Sequence, residues 1–131
     1  MIVLDENIPE DQCALLRRWR LRFRQIGQGI GTQGMKDEEH IVPLLHKVDR
    51  PTFFTRDLGF ADQRWCHEHY SLVCLAVSAH DAARFIRRFL RHPSFNTKKK
   101  RMGKVVRASS ADLRVWRLHG KSPERVAWAG K

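Results

Sequence analysis

Short apolar runs that stop abruptly at acids constrain this chain more than any other feature. Ile2-Val3-Leu4 stops at Asp5, Thr52-Phe53-Phe54-Thr55 stops at Arg56-Asp57, and residues 72–77 are the most apolar stretch present. Runs of this length, rich in β-branched and aromatic residues, predict strands buried in the middle of a sheet. Helical patterns separate them. Pro9 suits a first helical turn, and Gln12, Leu15, Leu16 and Trp19 trace a stripe that ends near Trp19. From Arg20 to Arg24 the pattern alternates, predicting a short strand. Asp37 reads as the N-cap of a helix reaching about Val48, kinked at Pro43. A short helix is predicted over 61–69 and a longer one over 81–90. Residues 104–108 and 113–118 alternate like the arms of a hairpin around a 109–112 turn, and the chain after Gly120 reads as a frayed tail with Trp128 a candidate to dock. Strands separated by helices predict an α/β protein with a mostly parallel sheet and right-handed crossovers.

A chain of 131 residues with 42% hydrophobic and 30% charged residues fits one globular domain. No apolar run approaches the roughly 20 residues that span a bilayer, and the first residues lack a signal-peptide pattern, so the expected location is cytoplasmic without membrane contact. Cys13, Cys66 and Cys74 are an odd set without a C-x-x-C pair, which predicts reduced thiols. Charge is the telling quantity. Residues 1–81 carry 12 acids and 10 bases, a net of −2, whereas residues 82–131 carry 2 acids and 15 bases, a net of +13. Such asymmetry points to a polyanionic partner, nucleic acid ahead of a membrane surface, and an acidic protein would satisfy it too.

In a parallel sheet the carboxyl ends of the strands form the functional crevice. Asp5 follows the first strand, Asp57 the third, and Asp37 opens the helix between them, so three carboxylates are expected to converge. Unscreened carboxylates raise one another's pKa, which makes a hard divalent cation, Mg²⁺ or Mn²⁺, the natural occupant. Singly, Asp37 reads as a helix cap and Asp57 as a turn residue; together at one edge they read as metal ligands.

These stretches resemble a known family. Ile2-Val3-Leu4-Asp5-Glu6-Asn7 looks like the opening strand of PIN-domain nucleases, and Phe53-Phe54-Thr55-Arg56-Asp57-Leu58-Gly59-Phe60 is similar to their later Thr-x-Asp-x-x-Phe strand ending. Asp37-Glu38-Glu39 with Ile41 resembles the acidic helix start of the compact PIN-like group that includes single-domain toxins. The resemblance covers roughly residues 1–92. It implies a PIN-like three-layer fold over residues 1–120, with a basic loop at 92–104, a hairpin at 104–118 and a tail at 121–131. It also implies a metal-dependent endoribonuclease, the toxin component of a toxin–antitoxin pair, with a small antitoxin and a homodimer as expected protein partners. Asp5, Asp37 and Asp57 would then be the catalytic metal ligands, supported by Asn7 and Thr55, with Glu38 or Asp62 completing the set. Only 20 positions separate Asp37 from Asp57, so the additional acidic helix of larger PIN domains has no counterpart.

Arg84, Arg87, Arg88 and Arg91 fall on one face of the 81–90 helix, and Lys98, Lys99, Lys100 and Arg101 form a basic run. No acid lies between Ala82 and Ala111, so these eight residues are the expected RNA contacts. Trp116 and Trp128 could stack on bases, although packing is the commoner fate of tryptophan. Gly29, Gly31 and Gly34 spell G-x-G-x-x-G, but Asp37, Glu38 and Glu39 would repel a pyrophosphate at the following helix, which ranks a dinucleotide site last. Cys66-His67-Glu68-His69 places adjacent side chains on diverging directions, a poor zinc arrangement, and no nucleophile motif accompanies the histidines. The alternative to a nuclease is a non-catalytic basic module that binds nucleic acid or a partner on the same fold.

Overall fold

The computed structural model describes residues 1–27 and 37–128, with the side chains of residues 37–40 outside the description. The G-x-G-x-x-G stretch therefore lies outside the described residues. The elements are β1 Ile2–Leu4, α1 Glu10–Arg18, β2 Arg24–Gln25, α2 Asp37–His46, β3 Thr52–Thr55, β4 Ser71–Ala76, α3 Ala82–Arg91, α4 Lys98–Arg101, β5 Lys104–Ser109, β6 Leu113–Arg117 and β7 Glu124–Val126. They build one seven-stranded sheet in the order β2-β1-β3-β4-β5-β6-β7. The first five strands are parallel; β6 runs antiparallel to β5 and β7 antiparallel to β6.

Two apolar layers cover the sheet. On one face Leu4, Phe54, Val73, Val106 and Val115 pack against Leu16 of α1 and Phe85, Ile86 and Phe89 of α3. Phe89 lies edge-on to Phe54 and stacks on Phe95 at 4.7 Å. Its truncation to alanine would cost about 3–5 kcal/mol. On the other face Val3, Phe53, Leu72, Cys74 and Val105 meet Ile41 and Leu45 of α2, with Phe60 and Tyr70 beside them. The result is three layers, helices on both sides of a mostly parallel sheet, with the expected C-terminal hairpin. No helix among the described residues is long and apolar enough to cross a membrane.

Several local expectations need correction. The alternating residues after Trp19 do not begin a strand, because Arg20 takes a left-handed conformation with φ of 63° and closes α1. Leu21 N–H bonds the Leu16 carbonyl and Arg20 N–H that of Arg17, a Schellman cap, so β2 is delayed to Arg24–Gln25. Residues 61–69 form no continuous helix. Asp57 caps a 3₁₀ turn at Leu58–Phe60 and Asp62 another at Gln63–Trp65, each side chain bonding a backbone N–H two residues on. The basic loop contains the short helix α4, capped by Thr97. The supposed tail returns as β7, paired with β6, and Trp128 does dock: its indole N–H donates to the Ser109 carbonyl at 2.6 Å.

The crossovers do not share one hand. α1 and α3 lie on the same face, yet the chain steps from β1 to β2 in one direction along the sheet and from β4 to β5 in the other. The β4–α3–β5 unit is therefore opposite in hand to the three earlier crossovers. The segment carrying Phe60, Trp65 and Cys66 already occupies the α2 face beside β4 and β5, leaving α3 the face next to α1.

Candidate functional site

The chain reverses direction along the sheet at β1 and β3, which are hydrogen-bonded neighbours while β2 lies outside β1. This is a topological switch point, and the crevice of such sheets opens there, beyond the carboxyl ends of the strands. Asp5 leaves β1 and Asp57 leaves β3 at this place. The backbone N–H of Asp5 still bonds the Phe54 carbonyl at 2.9 Å, so the parallel register itself brings the two strand ends together.

Asp5 is only 5% exposed. Its Oδ1 accepts from the Glu6 N–H at 2.8 Å and its Oδ2 from the Thr55 hydroxyl at 2.6 Å. Thr55 Oγ1 also accepts from Asn7 Nδ2 at 3.3 Å and from the Asp57 N–H at 3.0 Å. A hydroxyl has one proton and two lone pairs, so both of these are taken and the proton can point only at Asp5. Asn7 is held in turn, because its Oδ1 accepts from the Arg56 N–H at 3.2 Å. From β2, Gln25 Nε2 donates to the carbonyls of Asp5 and Ile8, pinning the turn that follows β1.

Burial pushes the Asp5 carboxyl up from 3.8, and the Glu6 and Asp57 carboxylates push it further, against the lowering effect of its two hydrogen bonds. Among the described residues, the charges acting on this carboxyl are those of other carboxylates. Each Asp5 oxygen keeps acceptor capacity, and Asp57, exposed, uses only Oδ1, on the Gly59 N–H. Such a pair fits a hard cation, which takes one or two carboxylates and retains waters. α2 runs back along the sheet from this edge, and its helical backbone begins at Asp37. The side chains of Asp37 and Glu38 lie outside the described residues, and among the described residues no three metal-ligating side chains converge. Asp62 serves as a cap and pairs with Arg64.

The structure therefore brings together Asp5, Asn7, Thr55 and Asp57. Gln25 and Arg56 escaped the sequence reading; only strand pairing reveals Gln25. Arg56 carries a buried Nε without a hydrogen-bond partner, beside the acidic turn.

The expected basic residues are dispersed. Arg84 pairs with Asp81 at 3.2 Å, Arg87 lies 3.7 Å over the Trp19 ring, and Arg88 lies over Trp128 and Phe85, while Arg91 is exposed. Lys98, Lys99 and Lys100 sit at the opposite, amino edge of the sheet: Lys98 reaches Asp49, and Lys100 bonds the Pro93 carbonyl and Asn96. Arg101 is buried, donating from Nε to Thr52 Oγ1 at 2.9 Å and from Nη1 to the Phe95 carbonyl at 2.9 Å. As placed, its guanidinium is committed to hydrogen bonds inside the fold, unlike the Lys98–Lys100 run expected to share its role. At that same edge an open concavity of about 420 Å³ is lined by His46, Arg50, His67, His69 and Lys99, among others. His67 stands edge-on to His46 at 4.5 Å, and His69 Nε2 meets the Val48 carbonyl at 2.7 Å. Trp116 packs against the α2-face core and Trp128 against Phe85.

Comparison with family models, with curated proteins and with solved structures gives no match, so the reading below rests on the site's own chemistry.

Proposed function

We propose that the protein is a metal-dependent ribonuclease of PIN-like type, the toxin half of a toxin–antitoxin pair. One observation carries this reading: a buried carboxylate, Asp5, and an exposed one, Asp57, share the switch-point crevice, and the charges acting on Asp5 there are the carboxylates of Glu6 and Asp57. Asp5 and Asp57 would hold Mg²⁺ or Mn²⁺, and Asp37 or Glu38 would complete the set from the first turn of α2. When bound, such an ion supplies an activated water and charge stabilisation for phosphodiester cleavage. The chain's own residues do the orienting. Thr55 commits its proton to Asp5 and keeps that carboxyl an acceptor, Asn7 locks Thr55 to Arg56, and Gln25 fixes the backbone beneath. The Arg56 guanidinium offers positive charge beside the acidic turn.

Incubation of RNA with the purified protein and Mn²⁺ or Mg²⁺ tests the reading. Cleavage that disappears on chelation and in both Asp5→Asn and Asp57→Asn supports it. Retained cleavage in those variants overturns it, and salt-sensitive RNA binding that ignores metal and never cleaves would transfer the assignment to the binding module.

A further inference from the structure

Strand register places Thr55, Cys74, Arg107, Arg114 and Arg125 in a single row. Thr55 pairs with Cys74, Cys74 with Arg107, Arg107 with Arg114, and Arg114 with Arg125. Residues paired in this way project from the same face of a sheet. That face is the α2 side, to which Cys74 belongs. Neighbouring strands lie about 4.8 Å apart, so the three arginines form a ladder about 10 Å long that begins two strands from Thr55.

Cover on this face is uneven. Toward the amino edge, Gln63 Nε2 bonds the Arg117 carbonyl and the Cys66 thiol meets that of Trp116, so residues 63–66 overlie the start of β5 and the end of β6. Toward the carboxyl edge Arg107 is half-buried, and Arg114 and Arg125 are exposed. Among the described residues neither Arg107 nor Arg114 has an ion-pair partner; Arg125 pairs with Asp112. Like charges directly opposite on adjacent strands destabilise a sheet, and three in register serve no evident packing purpose. The ladder also continues from the acidic pair: the buried Cys74 thiol, pushed up to about 12 chiefly by burial, feels both the Asp57 carboxylate and the Arg107 guanidinium.

The geometry points to Arg107, Arg114 and Arg125 as the track that carries the phosphates of single-stranded RNA across β5–β7 toward Asp5 and Asp57. This deepens the nuclease reading and rests on it for the identity of the polyanion. At the duplex rise of about 3.4 Å per charge on each strand, a ladder about 10 Å long spans about three phosphates. The Lys98–Lys100 run, at the other end of the strands, cannot present the same phosphates to the acids without crossing the sheet's length.

The test is anisotropy of a labelled oligouridylate in EDTA, titrated over salt. Wild type is expected to bind with a steep salt dependence. Arg107→Gln/Arg114→Gln should weaken binding at least tenfold and lower the slope of log K against log salt by about 1.4, at about 0.7 per phosphate contact on a single strand. Arg107→Lys/Arg114→Lys, which keeps the charge, should restore the slope, and Lys98→Gln/Lys99→Gln/Lys100→Gln should leave it near wild type. An unchanged slope in the glutamine variant, or a polyglutamate peptide outcompeting the RNA, overturns the track. Asp5→Asn separates the two readings: it should keep the slope while abolishing cleavage. Cleavage that survives intact in the arginine variants sinks the track alone, and ladder-dependent binding without any cleavage sinks the nuclease alone.

Discussion

One strand, β3, anchors a buried charge at each of its ends, and the two anchors differ in a way that separates a site from a scaffold. At the carboxyl end Thr55 gives its proton to Asp5. At the amino end Thr52 receives the Nε–H of Arg101. The guanidinium finishes its contacts on the neutral Phe95 carbonyl, and burial alone pulls its pKa down. The carboxylate, by contrast, is pushed up by burial and then by two further carboxylates. Arg101 donates to two neutral oxygens, whereas Asp5, with both oxygens hydrogen-bonded, also lies beside other carboxylates. On the proposed reading, a buried carboxylate beside other carboxylates is the place where a cation would bind.

The largest expected effect is on turnover. Asp5→Asn and Asp57→Asn should reduce metal-dependent RNA cleavage to background in a gel assay while circular dichroism stays native; activity in either breaks the contrast between the edges. Next come the two threonines. Thr55→Val should lower cleavage about 10- to 100-fold, since second-layer partners of metal ligands contribute on that scale. Thr52→Val should leave cleavage alone. It should instead cost about 1–3 kcal/mol in a urea melt, because the Arg101 Nε loses its acceptor. Arg101→Ala should destabilise by about 2 kcal/mol, with oligouridylate affinity unchanged in the same buffer.

A smaller effect should appear with pH. Asp5 has a folded pKa above 3.8, so its favourable share of stability is complete below 3.8 and is lost as pH rises through the shifted value. Urea midpoints of wild type relative to Asp5→Asn should therefore fall as pH rises above 3.8 in EDTA, and Mn²⁺ should reverse that fall. A flat difference would remove the electrostatic distinction between the edges. Smallest of all, neutralising Lys98 and Lys99 should shift stability by no more than about 0.5 kcal/mol, as exposed charges do.

Strand ends were legible because a strand buried on both faces has to be a short apolar run, and the polar residue that stops it lies at the sheet edge. That logic found Asp5 and Asp57 from Ile2-Val3-Leu4 and Thr52-Phe53-Phe54-Thr55, whereas Asn7 and Thr55 came only from the resemblance of these stretches to PIN-like strand endings. It misread residues 61–69 because Asp57 and Asp62 each spend a carboxylate on a backbone N–H two residues on, which favours 3₁₀ turns over a continuous helix. It misread Arg20 because a left-handed cap leaves no mark when glycine is not the residue used. Arg101 read as one of the basic run's RNA contacts, since nothing local announces that Thr52, 49 positions away, accepts its proton. The arginine ladder could not be read at all from spacing: Arg107, Arg114 and Arg125 align only once β5, β6 and β7 take their register.

Among the described residues the sheet closes at both sides with very little strand, two residues in β2 and three in β7. Edges this short offer few free backbone donors and acceptors to an incoming chain. An inhibitory peptide that works by extending the sheet would find almost no template here. A protein that silences the acidic crevice would have to do so through side chains, by inserting an arginine or lysine between Asp5 and Asp57 or by laying carboxylates along the ladder, and its interface should therefore weaken steeply with salt.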